Sequence, residues 1–203
     1  MELEKTACIF IGFQNDYFAK DGILTGAIEE SARNTGILVN TVTLLEQLVS
    51  TPMTLIQTPI IFTEDYSELS NPVGILKLIK DVGAFQAGTS GADVIAEIKA
   101  FEDHILSVPG KRCLNAFSNT NLAMILQEAD INHVVLAGAV TSICIDSTAR
   151  SSLDQGYQVT ILSDCTAART NVEQDFFCTY IFPLYASVMT SREFLLSLAL
   201  PVE

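Results

Sequence analysis

The chain of 203 residues contains five cysteines, and one of them has surroundings that favour a reactive thiolate. Cys144 follows an apolar run at residues 134–139 and opens a segment of helical periodicity. A thiol reacts as its thiolate, which the positive end of a helix dipole and a nearby ammonium both stabilise. Lys111, just after the preceding predicted strand, can supply that ammonium. The pattern predicts a nucleophilic Cys144 with Lys111 as its cationic partner; the alternative is a packed cysteine and a solvated lysine.

The remaining cysteines give no sign of a disulfide framework or of a zinc site. They form no C-x-x-C pair and no regular spacing, and they are Cys8, Cys113, Cys165 and Cys178. A buried cysteine without a special environment behaves as a small hydrophobic residue. We therefore expect only Cys144 to carry chemistry.

Apolar runs of strand length alternate with longer segments of helical period, the pattern of βα units around a parallel sheet. We predict a three-layer, doubly wound α/β fold with a mostly parallel sheet of about six strands and helices on both faces. One domain is expected over residues 1–203. The predicted strands cover residues 6–11, 54–62, 104–108, 133–136, 158–162 and 186–189. A long helix is predicted at 29–49, and the helix that carries Cys144 at 142–155.

Residues that follow the predicted strands define the expected site, because ligands in open α/β sheets bind beyond the carboxyl ends of the strands. The polar or glycine residues at these places are Gly12, Gln14 and Asp16 after the first strand, Glu64 and Asp65 after the second, Lys111 after the third, and Thr141 and Cys144 after the fourth. We expect this set to line one site for a small molecule.

The composition excludes several classes of partner. A formal net charge of −13, with only 11 lysines and arginines, argues against nucleic-acid binding, which needs a basic surface. The apolar runs are far shorter than the ~20 residues of a membrane helix. The acidic start of the chain does not resemble a signal peptide, which predicts a cytoplasmic protein. A mean hydropathy of +0.36 fits a chain that buries surface against copies of itself, so a homo-oligomer is expected.

Three motifs in the right order resemble those of one family. Residues 138–150, Gly-Ala-Val-Thr-Ser-Ile-Cys-Ile-Asp-Ser-Thr-Ala-Arg, are similar to the nucleophile motif of the isochorismatase-like (nicotinamidase-related) cysteine hydrolases. Residues 111–117, Lys-Arg-Cys-Leu-Asn-Ala-Phe, and 120–122, Thr-Asn-Leu, resemble the lysine motif of that family. Residues 13–18, Phe-Gln-Asn-Asp-Tyr-Phe, are similar to its opening Gln-Asn-Asp-Phe motif. The resemblance covers essentially the whole chain and implies the Rossmann-type topology of the family.

The resemblance also implies a mechanism. In this family the cysteine attacks a carbonyl or imine carbon, the lysine stabilises the thiolate, and an aspartate after the first strand shuttles the proton. Carried over, Cys144 is the nucleophile and Lys111 its electrostatic partner. The resemblance places a cis peptide between Ala139 and Val140, and an oxyanion hole at the backbone N–H groups of Val140 and Cys144.

Two departures from the family pattern bear on activity. Gly12 stands where the family carries its proton-shuttling aspartate, and positioned proton transfer is worth typically ~10² to ~10⁴-fold in rate. Asp16, Glu64 and Asp65 are the carboxylates that could replace it, against the simpler interpretation of a turn residue and two solvated loop acids. No histidine follows the second strand, where the nicotinamidase branch holds its metal, so neither a metal nor another cofactor is implied.

Three functions follow from this reading. The first is a cysteine hydrolase acting on a small amide, carbamoyl or isochorismate-type compound through the Cys144 thiolate. The second is a catalytically impaired relative that binds a small molecule or a protein without turnover, in which a Gly12→Asp change restores activity if the pocket is open. The third, a flavodoxin-like nucleotide binder, is disfavoured because the loop after the first strand has neither G-x-G-x-x-G nor a P-loop.

Overall fold

The strands form one six-stranded sheet in which every pair of neighbours is parallel. The computed structural model describes residues 1–198. The strands are β1 (Thr6–Ile11), β2 (Thr54–Thr58), β3 (Leu106–Ser107), β4 (His133–Ala139), β5 (Gln158–Ala167) and β6 (Ser187–Met189). Their order across the sheet is β3-β2-β1-β4-β5-β6, so the chain runs outward from β1 to one edge and then returns to build the other half. This is the predicted doubly wound topology.

Helices cover both faces of the sheet. They are α1 (Asn15–Phe18), α2 (Thr25–Thr35), α3 (Ile37–Leu48), α4 (Gly74–Val82), α5 (Ala96–Lys99), α6 (Leu122–Glu128), α7 (Asp146–Asp154), α8 (Asn171–Phe176) and α9 (Ser191–Ser197). Two π-helical segments adjoin them, Thr141–Ile145 before α7 and Phe177–Ile181 after α8.

Alternate residues of β1 point into two separate hydrophobic cores. Ala7, Ile9 and Ile11 pack into the core beneath α2, α4, α6 and α7. Cys8 and Phe10 pack into the opposite core beneath α3, α5 and α9. All six residues of β1 are buried, as expected for a central parallel strand. The two cores confirm the predicted three layers.

The predicted long helix at 29–49 is wrong in one respect, because Gly36 divides it. Gly36 adopts a left-handed backbone with φ of 68°, which ends α2 and lets α3 start at once in a new direction. The predicted strand at 54–62 is also too long. Pro59, which has no N–H for a ladder, follows the last residue of β2, and beyond it only isolated bridges at Ile60 and Phe62 continue the pairing.

Two strands, β4 and β5, are longer than predicted. β4 continues through Gly138 to Ala139 rather than ending at residue 136, and β5 continues to Ala167 rather than residue 162. The register between them shifts between Leu136 and Gly138. At Gly138, a β-carbon would lie 1.9 Å from the carbonyl oxygen of Ile11, so only glycine allows β1 and β4 to approach here. Within residues 1–198, no helix is long and apolar enough to cross a membrane.

Candidate active site

The side chains of Lys111 and Cys144 meet beyond the carboxyl ends of the central strands. The Lys111 Nζ lies 3.5 Å from the Cys144 Sγ and donates a second hydrogen bond, of 2.5 Å, to the carbonyl oxygen of Cys113. Lys111 is 0% exposed and Cys144 is 4% exposed. A buried ammonium is costly unless an opposite charge and hydrogen bonds compensate it. The contact therefore sets a buried cation against a side chain that can ionise to an anion.

The backbone before Cys144 is held in an unusual conformation. The peptide between Ala139 and Val140 is cis, at the position that the family resemblance implies. Val140 then precedes the π-helical segment, and its carbonyl oxygen accepts hydrogen bonds from Ile143 at 3.0 Å and from Ile145 at 3.2 Å. No side chain caps this helix start. Cys144 lies in this first turn of a helical segment that continues into α7, near the positive end of the helix dipole.

A buried glutamine from a distant element anchors the start of this helix. The Thr141 hydroxyl donates a 2.6 Å hydrogen bond to Gln174 Oε1. Gln174 Nε2 donates in turn to the Ser163 carbonyl at 2.9 Å and to Thr166 Oγ1 at 3.0 Å. These bonds tie the nucleophile segment to the end of β5. Sequence reasoning missed Gln174, whose position within a helical segment gives no local sign of its role.

Gln14 positions the lysine segment rather than facing a ligand. Its side chain donates to the Ile60 carbonyl at 2.8 Å and accepts from the Ile60 N–H at 2.7 Å, and it donates to the Ala92 carbonyl at 2.7 Å. Ile60 forms an isolated parallel bridge with Lys111. The Ala116 N–H donates to Thr148 Oγ1 at 3.0 Å, which ties the loop after Lys111 to α7. The chain is therefore held at Lys111 and again at Ala116.

Gly12 is built into a backbone that has no room for a side chain. Its φ is +72°, and a β-carbon would lie 2.9 Å from the carbonyl oxygen of Ala139. That oxygen belongs to the backbone and cannot rotate away. A simple return to the family's aspartate is therefore blocked, which revises the expectation that Gly12→Asp restores activity. The same β-carbon position lies 3.7 Å from Cδ2 and Cε2 of Tyr17.

None of the three carboxylates proposed as substitutes for the missing aspartate is free beside the sulfur. Asp16 is buried, and its Oδ2 accepts a 2.6 Å hydrogen bond from the Phe85 N–H, while its other oxygen packs where a Gly91 side chain would stand. Glu64 and Asp65 are exposed. The Ser67 N–H and the Thr63 hydroxyl bind Asp65 and lower the pKa of its carboxyl group. Asp16 holds a turn, and the other two lie on the loop surface.

Tyr17 is a buried tyrosine whose ring lies beside Gly12. It is 3% exposed and belongs to the same buried cluster as Ala139, Val140 and Cys144. Burial raises the pKa of the Tyr17 phenol, and negative charge on Cys144 and on Asp16 raises it further. The hydroxyl therefore stays protonated at neutral pH.

Three of the other cysteines lie in surroundings that keep their thiols protonated. Burial raises the pKa of Cys8 well above its usual value, and burial likewise raises that of Cys165. Cys178 has a pKa raised to about 12, by burial first and by Asp175 second. Cys113 is partly exposed, and its carbonyl oxygen accepts a hydrogen bond from the Lys111 Nζ. All five thiols are free, and Cys144 alone faces an ammonium among residues 1–198.

An apolar groove of about 1050 Å³ lies next to the segment that carries Cys144. It includes Ser142 and Ile143, the two residues before Cys144. Its other walls come from α4, the lysine loop and α8, through Ile75, Leu78, Leu114, Phe176 and Phe177. Within the described residues no group of three or more histidine, cysteine, aspartate or glutamate side chains is arranged to hold a metal ion.

The sequence model of the isochorismatase domain matches residues 6–193, so the chain belongs to the isochorismatase family. The uncharacterized isochorismatase family protein YddQ of Bacillus subtilis (strain 168) is 25% identical over 203 residues, which cover 94% of this chain and 98% of YddQ. A cysteine hydrolase from Pseudomonas syringae pv. phaseolicola 1448A has a similar fold, with a TM-score of 0.84, 21% identity and coverage of 98% of this chain and 94% of that one. N-carbamoylsarcosine amidase from Thermoplasma acidophilum has a TM-score of 0.71 at 23% identity, with coverage of 92% and 96%. The resemblance seen in the motifs is thereby confirmed.

Proposed function

We propose that this protein is a cysteine hydrolase that cleaves a small amide, carbamoyl or isochorismate-type compound through a thiolate at Cys144. The observation that carries the proposal is the 3.5 Å contact between the Cys144 sulfur and the buried ammonium of Lys111. Lys111 holds the sulfur negative and directs its lone pair at an electrophilic carbon. The amidase among the solved relatives supports a carbamoyl or amide bond as the target.

The backbone around the sulfur supplies the second component of this mechanism. Attack on a carbonyl develops negative charge on its oxygen, and the N–H groups of Val140 and Cys144 lie at an uncapped helix start next to the nucleophile. Preorganised donors of this kind are usually the largest single term in acyl transfer. We assign these two N–H groups to the oxyanion hole, with the apolar groove beside Ile143 receiving the apolar part of the substrate.

A second function is favoured by the environment of Gly12. Its left-handed backbone and the close Ala139 carbonyl exclude the family's aspartate. The chain can therefore be a binding protein that keeps the thiolate and the groove but does not turn its ligand over. In that case Cys144 reacts with electrophiles, yet no substrate is consumed.

The two functions are separated by turnover. Wild type, Cys144→Ala and Cys113→Ala are assayed with a set of carbamoyl compounds, small amides and isochorismate. The hydrolase predicts turnover of at least one compound, lost in Cys144→Ala and kept in Cys113→Ala, which removes the neighbouring partly exposed thiol. Turnover that survives in Cys144→Ala refutes the proposed mechanism. If wild type turns over none of the compounds, the result favours the binding protein.

We also propose that the protein works in the cytoplasm as a homo-oligomer. Large apolar side chains are exposed at the end of α8 and on the segment after it, at Phe176, Tyr180 and Leu184. Sedimentation velocity measures the state directly: a single species of the monomer mass, 22.0 kDa, would refute the oligomer.

A further inference from the structure

The apolar groove next to the nucleophile segment is bordered by both halves of the candidate site. Ser142 and Ile143 are the two residues before Cys144, and Leu114 belongs to the loop that follows Lys111. The contact between the Lys111 Nζ and the Cys144 Sγ joins these two segments. A substrate group bound at the sulfur therefore has the groove beside it.

The polar side chains that line the groove are bound to one another. Glu173 accepts one hydrogen bond from the Ser142 hydroxyl and another, of 2.9 Å, from Arg169 Nε. The Glu173 N–H donates at 3.2 Å to Thr170 Oγ1, which caps α8. Arg169 is 62% exposed and balances the charge of Glu173, so the lining is neutral, although the whole chain has a formal net charge of −13. A polar ligand group would have to compete with these bonds, and burying it without a partner is costly.

The apolar walls of the groove are large side chains that remain partly open to solvent. Leu78 of α4 is 43% exposed, and on α8 Val172 is 79% and Phe176 is 50% exposed. Ile75 and Phe177 line the same groove and are half-buried. Contiguous exposed apolar surface marks binding sites, and the groove volume of about 1050 Å³ lies at the upper end of small-molecule sites, roughly 300–1,000 Å³. The groove therefore has room for an extended apolar group.

We propose that the groove holds an extended aliphatic acyl chain of the substrate, whose carbonyl carbon lies at Cys144, and that Leu78 and Phe176 select this chain. The inference rests on the proposed hydrolase function and names its substrate class, an acyl amide with an apolar chain rather than a compact polar amide. Because the lining is neutral and its polar groups bond to one another, apolar burial is the main source of affinity here. Each methylene that becomes buried raises affinity by up to about fourfold.

A second copy of the chain is the other occupant that an apolar groove could take. Phe176 belongs both to the groove and to the exposed set proposed for contact between copies. The other two members of that set, Tyr180 and Leu184, do not line the groove, which adjoins the nucleophile segment instead. This continuity with the site and the neutral lining favour the uncharged acyl chain, and a bound copy is one outcome of the test.

The test measures alkylation of Cys144 in the full chain, which requires no turnover. The sulfur displaces iodide from N-methyl, N-butyl or N-octyl iodoacetamide, and each rate is divided by the rate of the same reagent with glutathione. The normalised rate should rise by at least about tenfold from methyl to octyl, and Leu78→Ser should lower this octyl-to-methyl ratio by about fivefold because an apolar wall is lost. Leu153→Ser is the matched control, a helical leucine of 44% exposure on α7 and outside the groove. It should keep the ratio of wild type.

Failure of this inference and failure of the hydrolase give different results. A flat alkylation series in wild type overturns the inference, as does a series that is equally steep in wild type and Leu78→Ser. A flat series together with slower sedimentation of Leu78→Ser assigns the groove to a second copy and also overturns it. If acetamide and octanamide are hydrolysed with equal kcat/KM, the hydrolase stands and the acyl chain is wrong. If the alkylation series is steep and depends on Leu78, but neither octanamide nor any compound of the turnover set is consumed, the apolar ligand stands and the hydrolase is refuted.

Discussion

The Nζ of Lys111 lies 3.5 Å from the Sγ of Cys144, and both side chains are enclosed by the protein. Their positions are 33 residues apart in the sequence and come together because Lys111 pairs with Ile60, just beyond β2, and because β1 lies between β2 and β4 in the sheet. The pair does not depend on a residue-12 carboxylate. The contact between Lys111 and Cys144 and the family's proton shuttle are therefore separable features of this fold.

Replacing the ammonium should slow the reaction of the sulfur. Lys111→Met keeps the length of the side chain and removes its charge. Hydrogen bonds to charged groups contribute about 1.5–3 kcal/mol, so alkylation of Cys144 by iodoacetamide at neutral pH should slow by about ten- to a hundredfold. Peptide mapping after timed alkylation measures the rate. Lys77→Met, which removes an exposed lysine paired with Asp81, should not change it. An unchanged rate in a folded Lys111→Met variant would contradict the ion pair.

Adding a side chain at position 12 should destabilise the protein. A non-glycine residue in the left-handed region costs about 1–2 kcal/mol, and the contact with the Ala139 carbonyl adds to that cost. Gly12→Ala should therefore lower the free energy of unfolding in urea, and Gly12→Asp should lower it without raising turnover. Gly26→Ala is the matched control, because nothing lies within 4 Å of a β-carbon there and the residue lies in α2. It should be neutral or stabilising by up to about 1 kcal/mol. A stable Gly12→Asp with increased turnover would refute this account of the position.

Acid should destabilise the fold through His133. Burial, and secondarily the N-terminal amino group, lower the pKa of this histidine below its ordinary value of 6.5. The unfolded chain therefore binds the proton first, and the free energy of unfolding should fall as the pH drops from 6.5 to about 5. His133→Gln should reduce this dependence, whereas His104→Gln, at an exposed position, should keep it. Urea titrations across this pH range measure both, and identical slopes in wild type and His133→Gln would contradict the prediction.

The glutamine behind the nucleophile segment should matter for stability and rate together. Gln174→Leu leaves the Thr141 hydroxyl, the Ser163 carbonyl and Thr166 Oγ1 without their partner. Unpaired buried polar groups cost about 1–3 kcal/mol, so the unfolding free energy should fall by that amount, and the alkylation rate of Cys144 should fall as the helix start loosens. Gln155→Leu, whose exposed amide bonds only to Ser151, is the control. Loss of stability with an unchanged alkylation rate would show that Gln174 does not position the sulfur.

Much of the fold was predictable because buried parallel strands have a simple pattern. The β1 bounds follow from an unbroken apolar run, and Cys144 at a helix start follows from the switch to helical spacing. The break at Gly36 was not predicted, because apolar residues keep their spacing on both sides of it. The extension of β5 to Ala167 was also missed. Its last residues include Ser163, Asp164 and Thr166, whose polar side chains bond to β6, to Ser191 and to Gln174 rather than face solvent.

The site was predictable only where function uses charged or nucleophilic groups. Lys111 and Cys144 stand out by type and position, and the structure brings them together. Gln14 was expected to line the site, but it binds the backbone of Ile60, a role that only long-range contacts determine.

The most direct measurement of the central claim is the ultraviolet absorbance of the thiolate at neutral pH, taken as the difference between wild type and Cys144→Ala. Burial keeps the thiols of Cys8, Cys165 and Cys178 protonated, so they contribute nothing at this pH, and the contribution of Cys113 cancels in the difference. If Lys111 holds the sulfur negative, wild type will show the absorbance of one additional thiolate, and the Lys111→Met variant will lose it. Equal absorbance in wild type and Cys144→Ala would mean that the sulfur is a neutral thiol, and the account would be wrong.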